Sequence, residues 1–293
     1  MTWRAAALGL GLLAFPAATN PPALATVPFT YLHHEVVVRA RIAGAGPFAF
    51  LLDTGTTPSI IDAVLAKRLG LSARGAAGRG TDIGSTSTTA YPVTIRDLQV
   101  GALHVSRLDA RSLNIAATSK RIGVPLAGVL GSNIFDGRVV QIDYPCRKIS
   151  VLADALLAPF TARFNEIADG WIVTNDFWVG SQRASAAIDT GDSGVAIVTG
   201  PGIEALHLQT AARAGKTVSS FSYGGRHSET LGVLHDVRLG SRPLGTLTAR
   251  FLPEADNSFD VNIGNRLLQH FVVTFDYARG LLTISPARAC SGS

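Results

Sequence analysis

Charge is scarce in this chain of 293 residues: only 16% of positions are Asp, Glu, Lys or Arg. Sulfur is scarcer still, with two cysteines and one methionine, and tryptophan occurs three times. Each shortage removes a class of function. Two cysteines as far apart as Cys146 and Cys290 form neither a CxxC redox pair nor a thiolate metal cluster. The seven histidines include the pair His33-His34 but no HExxH, so no zinc-hydrolase motif is present and no metal site is expected. The net charge of +5 and the pI near 9.6 raise the question of nucleic acid. Lys and Arg are scattered, however, with no basic run and no recognisable nucleic-acid motif, so no nucleic-acid partner is expected. No apolar run approaches the roughly 20 residues that span a bilayer, and no stable membrane insertion is expected.

What is present is apolar. Hydrophobic residues make up 47% of the chain and the mean hydropathy is +0.27, the opposite of a disordered composition. Thirty Gly and 14 Pro, with Val, Ile, Thr and Phe in short runs, read as many strands joined by tight turns. At the start, Arg4 precedes the uncharged stretch Ala5 to Phe15, and Ala23-Leu24-Ala25 offers a small-x-small processing site. Residues 1–25 are therefore read as a signal peptide, with a second cleavage choice near Ala17-Ala18-Thr19. The mature chain is expected to be periplasmic or secreted, where Cys146 and Cys290 either pair or remain two thiols.

An internal repeat organises the rest. Asp53-Thr54-Gly55 recurs as Asp189-Thr190-Gly191. Val129-Leu130-Gly131 is echoed by Asn262-Ile263-Gly264, which has a polar first position. Val139-Val140-Gln141-Ile142-Asp143-Tyr144 is echoed by Val272-Val273-Thr274-Phe275-Asp276-Tyr277. The Asp-to-Gly spacing is 78 residues in the first copy and 75 in the second. Each copy reads as strand, tight turn, strand, then the DTG loop. The first loop leads to the strand Ser59 to Ile61 and a short helix capped by Asp62 and ended by Gly70; the second leads to Val195–Val198 and a helix around Ile203 to Leu208. This gives an N-terminal lobe over 26–153, a linker over 154–169 and a C-terminal lobe over 170–293, each lobe large enough to bury a core.

A single Asp-Thr-Gly is an ordinary turn. Two copies, each after an apolar strand and each followed by an apolar-Gly motif, resemble the pepsin and retropepsin group of aspartic proteases, and most closely a duplicated bacterial retropepsin-like domain. The resemblance runs from about His34 to Pro286. It implies an all-β fold with a few short helices, in which two pseudo-symmetric, barrel-like lobes hold an active site between them. It also implies that Asp53 and Asp189 are catalytic, that no cofactor is needed, and that the partner is a polypeptide substrate. With both loops in one chain, a monomer suffices.

The chemistry is intelligible from the residues themselves. Two carboxyls a few ångströms apart cannot both ionise cheaply, so they share one proton. One then takes a proton from water while the other donates to the scissile carbonyl, and the titrations belong to the pair. Thr54 and Thr190 are implied to bond across the pair, and Thr56 to reach Asp53. Gly55 and Gly191 suit crowded backbone beside the carboxyls, and Gly131 and Gly264 suit close packing below them. Asp192 stands where the family has Ser or Thr. A third carboxylate there would raise the pair's titration and give a less acidic pH optimum than pepsin's, unless Asp192 points into solvent.

By the same resemblance, a glycine-tipped hairpin closes over the substrate. Phe221 to Gly225 is the candidate in the second half, with Tyr223, Gly224 and Gly225 at the substrate; Gly78 to Gly84 is its counterpart in the first half. Trp171 and Trp178 read as core or cleft wall. Gly200-Pro201-Gly202 fits a dinucleotide pattern but lacks the βαβ context. The rival to an enzyme is a catalytically silent retropepsin-like module of the cell envelope that binds peptides or regulates.

Overall fold

The structure, a computed structural model, describes residues 21–84, 87–156, 159–167, 170–222, 225–287 and 289–290. Most of the expected signal segment, together with Tyr223 and Gly224 of the expected C-terminal flap, lies outside the described residues.

The chain is mostly β, as expected, and its two halves repeat one topology. In the first, an eight-stranded sheet runs in the order Thr30–Leu32, Glu35–Ile42, Ala45–Leu52, Leu126–Leu130, Ser59–Asp62, Leu103–Leu113, Ser87–Val100, Gly78–Thr81. In the second, the order is Asn165–Glu166, Ile172–Val179, Gln182–Ile188, Val261–Ile263, Ala196–Thr199, Arg242–Leu252, Gly225–Leu239, Thr217–Ser222. The strands correspond one to one. In both sheets the second strand in chain order also pairs with a long strand near the far edge, Glu35–Ile42 with Ser87–Val100 and Ile172–Val179 with Gly225–Leu239, which curls the sheet on itself.

The residues just before each DTG loop, Ala49 to Leu52 and Ala186 to Ile188, are all apolar because both faces of the strand are covered there. Phe50 and Leu52 pack into the main core, whereas Ala49 and Leu51 join a second cluster with Val37, Ile60 and Val129. Successive residues point to opposite faces, so a period of two feeds two cores. In the second lobe Ala186 and Ile188 enter the main core, and Ala187 packs with Val173 and Phe259. A buried Leu, Ile or Phe contributes about 1.5–3 kcal/mol, so these strands are held firmly.

A six-stranded antiparallel sheet joins the lobes: Ala23–Pro28, Lys148–Leu152, Val139–Asp143, Phe271–Asp276, Leu281–Pro286, Ala162–Arg163. At its centre the two echoed segments pair with each other, Val139 opposite Asp276 and Asp143 opposite Val272. The strand Ala23–Pro28 contains Ala23 and Ala25 of the small-x-small site; Ala25 and Val27 are buried against the main core. Cys146 and Cys290 form a disulfide with Cα atoms 5.5 Å apart, fastening the C-terminal end to this sheet.

The helix Ala63–Arg68 begins at Asp62, whose carboxylate accepts from the N–H groups of Val64 and Leu65 at 3.0 Å. In the second lobe the helical segment starts earlier than expected. Thr199 caps Gly200–Ala205, with Pro201 in its first turn, and a separate helix Gln209–Ala214 follows.

Candidate active site

Each DTG loop leaves its strand at a point fixed by the parallel strand beside it. Asp53 donates its backbone N–H to Leu130 O at 2.9 Å, and Asp189 donates to Ile263 O at 2.9 Å. Both acids therefore sit one residue beyond a paired, buried strand end, next to Gly131 and Gly264. These glycines leave room for the loops. A Cβ on Gly131 would overlap Thr56 O, and one on Gly264 would lie 2.6 Å from Asp192 O. Ser132 N–H and Asn265 N–H then bond those same carbonyls, at 3.0 and 2.7 Å.

Four hydrogen bonds lock the loops together. Thr54 N–H donates to Thr190 Oγ1 and Thr190 N–H to Thr54 Oγ1, both at 3.0 Å. The hydroxyls pass onward to the opposite strands, Thr54 Oγ1 to Ile188 O at 2.7 Å and Thr190 Oγ1 to Leu52 O at 3.0 Å. Each threonine thus accepts from one lobe and donates to it through the same oxygen. Both side chains are buried, so removing either leaves two backbone groups unpaired. Asn265 adds a further tie, donating to Thr190 O and accepting from Tyr144 Oη at 2.6 Å.

The carboxyls consequently face each other. Gly55 and Gly191 are the gauge: a Cβ on Gly55 would lie 2.8 Å from the Asp189 carboxyl, and one on Gly191 would overlap the Asp53 carboxyl. Both acids are buried, at 4% and 6% exposure. Asp53 accepts from Gly55 N–H at 2.9 Å and from Thr56 Oγ1 at 2.7 Å. Asp189 accepts from Gly191 N–H at 2.7 Å and from Asn262 Nδ2 at 2.9 Å. Burial lifts the Asp189 carboxyl well above the usual carboxylate range; the charges of Asp53 and then Asp192 add to this, and the Asn262 and Gly191 donors oppose it. A proton is therefore held at the pair at pH values where free aspartates are ionised.

Asp192 does not point into solvent. Its Oδ1 lies 2.5 Å from Arg250 Nη2 and accepts from Gly194 N–H at 2.9 Å. Arg250 also reaches Glu229 at 3.3 Å, and that carboxylate is buried. Asp192 raises Asp189, as the sequence led us to expect, but from within an ion-pair network that offsets part of its charge.

The expected loop residues Asp53, Thr54, Gly55, Thr56, Gly131, Asp189, Thr190, Gly191, Asp192 and Gly264 thus come together at the two loops, whereas Gly225 does not line the cleft and Tyr223 and Gly224 lie outside the described residues. Gly225 opens the strand Gly225–Leu239 with a φ of 130°. The cleft in front of the pair has a cavity volume of about 100 Å³. Trp171 forms part of its wall and packs on Phe259 with ring centroids 4.9 Å apart.

Several residues in and around this cleft escaped the sequence reading. Asn262 replaces a hydroxyl donor on the second loop, and its only trace was a polar residue where the motif is apolar. Arg121 lines the cleft and is paired at 2.9 Å with Glu35, which is buried. Burial pushes the Glu35 carboxyl up to about 8, against the pull of Arg121 and with a further push from Asp53 and Asp192. Among the described residues no three His, Cys, Asp or Glu side chains are grouped to hold a metal ion, and no helix is long and apolar enough to cross a membrane.

Two buried carboxyls on matching DTG loops thus face each other between two halves of one topology. Residues 38–134 match the family model described as aspartyl protease. The matched stretch covers the first DTG loop and Gly131; the second lobe repeats its strand order. No curated protein matches the chain.

Proposed function

We propose that the chain is an endopeptidase in which Asp53 and Asp189 activate water against an internal peptide bond. The observation that carries this reading is the facing of two buried carboxyls across glycines that admit no Cβ. One carboxylate and one carboxylic acid share a proton. The carboxylate takes a proton from a water held between them, and the hydroxide equivalent attacks the scissile carbonyl carbon. The acid donates its proton to the carbonyl oxygen, giving a neutral tetrahedral diol with no enzyme bond. Return of a proton to the leaving nitrogen and loss of one from the diol release an amine and a carboxylic acid.

The grip between Thr54 and Thr190 holds the two loops in register, which the shared proton requires. Thr56 and Asn262 fix one oxygen of each acid. An extended substrate would lie in the cleft between the lobes and add its backbone to the hairpin edges. Both loops belong to one chain, so we propose that a monomer is active. The Cys146–Cys290 bridge and the apolar N-terminal segment support an exported protein, periplasmic or secreted. The burial of Ala25 and Val27 in the joining sheet favours processing before Pro22 over cleavage after Ala25.

The test is cleavage of a peptide library by wild type, Asp53→Asn and Asp189→Asn. The proposal expects internal cuts by wild type only. Equal cutting by all three places the activity elsewhere.

A further inference from the structure

The first-lobe hairpin, Gly78–Thr81 and Ser87–Val100, carries at its tip residues that reach across to the second lobe. Ile83 packs between two apolar groups there, Val173, Ala187 and Phe259 on one side and Ile197, Leu252 and Ala255 on the other. Its backbone oxygen accepts from Asn257 Nδ2 at 2.9 Å. Asp82 Oδ2 lies 3.5 Å from His227 Nε2, with both side chains buried. Gly84 passes so closely over the His227 ring that a Cβ would overlap it.

The place so occupied belongs to the cleft. Ile83 and Ile197 line the same cavity as Asp53 and Asp189, and Ala187 precedes Asp189 on the loop strand. The tip offers that cavity an aliphatic side chain in an apolar pocket and a backbone carbonyl on a side-chain amide. An extended peptide presents the same two groups. Ile83 sits at a hairpin end, whereas the pocket walls are buried residues of the second lobe, Val173, Ala187, Ile197 and Leu252 among them on strands, so the tip is the part that moves when the pocket opens.

Resting on the endopeptidase reading, we propose that Asp82-Ile83-Gly84 is a resident mimic of substrate. The pocket filled by Ile83 is a subsite for an aliphatic substrate side chain, and peptide must displace the tip to reach it. The occupied state lowers apparent affinity by the fraction of molecules whose pocket is open.

Wild type, Ile83→Ala and Asn257→Ala are each given a mixed peptide library. Reduced-amide peptides that cannot be cut, carrying leucine or lysine at successive positions, are added separately while amide exchange of residues 78–84 is followed. The proposal expects KM about tenfold lower in both variants with kcat retained, and cut sites enriched in Ile, Leu and Val at one position. It also expects faster exchange at the tip with a leucine peptide and not with a lysine peptide. Cleavage with KM unchanged or raised in both variants, or with no aliphatic enrichment, overturns the subsite and leaves the endopeptidase reading standing. Tip release by leucine peptides with no cleavage by any chain overturns the endopeptidase reading and leaves the subsite standing. Neither cleavage nor release overturns both.

Discussion

Asn262 stands to Asp189 as Thr56 stands to Asp53: each donates one hydrogen bond, at 2.9 and 2.7 Å, to the carboxyl oxygen that the loop's own N–H leaves open. The donors come from different places. Thr56 belongs to its own loop, whereas Asn262 reaches up from the strand that runs parallel beneath the second loop. Asp192, at the position matching Thr56, turns instead to Arg250. The two lobes therefore build equivalent carboxyl environments from non-equivalent residues.

Asn262→Leu is expected to lower kcat/KM about ten- to a hundredfold, since a hydrogen bond to a charged group is worth about 1.5–3 kcal/mol. The Asn262 amide also holds the Asp189 carboxyl down, so its removal lets that carboxyl rise further. The alkaline limb of the pH–rate profile should move to higher pH. An unmoved limb would show that the amide has no part in the pair's titration.

Asp192→Asn and Arg250→Met should shift the profile in opposite directions. The charge of Asp192 raises Asp189, so deleting it lets the pair lose its proton at lower pH and moves the alkaline limb down. Deleting Arg250 leaves Asp192 and the buried Glu229 without their cation and moves the limb up. Arg250→Met should also destabilise the fold by about 3–5 kcal/mol, the usual result of removing one member of a buried pair. Profiles measured alongside urea unfolding check both statements.

Glu35 makes a prediction about stability and pH. Its carboxyl is pushed up from an ordinary 4.5 to about 8, so the folded chain holds a proton that the unfolded chain releases in that window. The sign follows: stability present below about 4.5 is lost as pH rises toward about 8. Glu35→Gln should flatten the fall in unfolding free energy between these limits by an amount on the order of 1–3 kcal/mol, read from urea unfolding at each pH. Parallel curves of unfolding free energy against pH for the two proteins would contradict it, whatever their offset.

Cys290→Ser is expected to lower stability by several kcal/mol. The bridge closes a loop with a sequence separation of 144, and a loop of about that length restricts the unfolded chain by about 5 kcal/mol on the chain-entropy estimate. Unfolding in urea with and without reductant measures the difference, and the variant should lose its sensitivity to reductant.

The parts of this molecule that the sequence made legible are those set by local chemistry. Asp53-Thr54-Gly55 and Asp189-Thr190-Gly191 were readable because turn residues follow apolar strands, and Asp62 because a capping side chain bonds within its own helix. What could not be read depends on chain segments meeting from far away. The echo of Val139–Asp143 in Phe271–Asp276 was visible, but nothing local said that the two copies pair with each other. Ala23 to Ala25 matches a processing motif, and a strand of alternating burial carries the same small residues. Arg250 looked like one of many scattered cations until Asp192 and Glu229 closed around it. The crossing from Ile83 to the other lobe has no signature along the chain.

Carboxyl carbon NMR of Asp53 and Asp189, followed from pH 2 to 9 in wild type and in Asp53→Asn, addresses the shared proton without relying on any substrate. The account predicts that wild-type Asp189 keeps its proton well above the usual aspartate range and that its titration moves down once the Asp53 charge is gone. Two aspartates titrating independently at ordinary values, with Asp189 indifferent to the loss of Asp53, would contradict it.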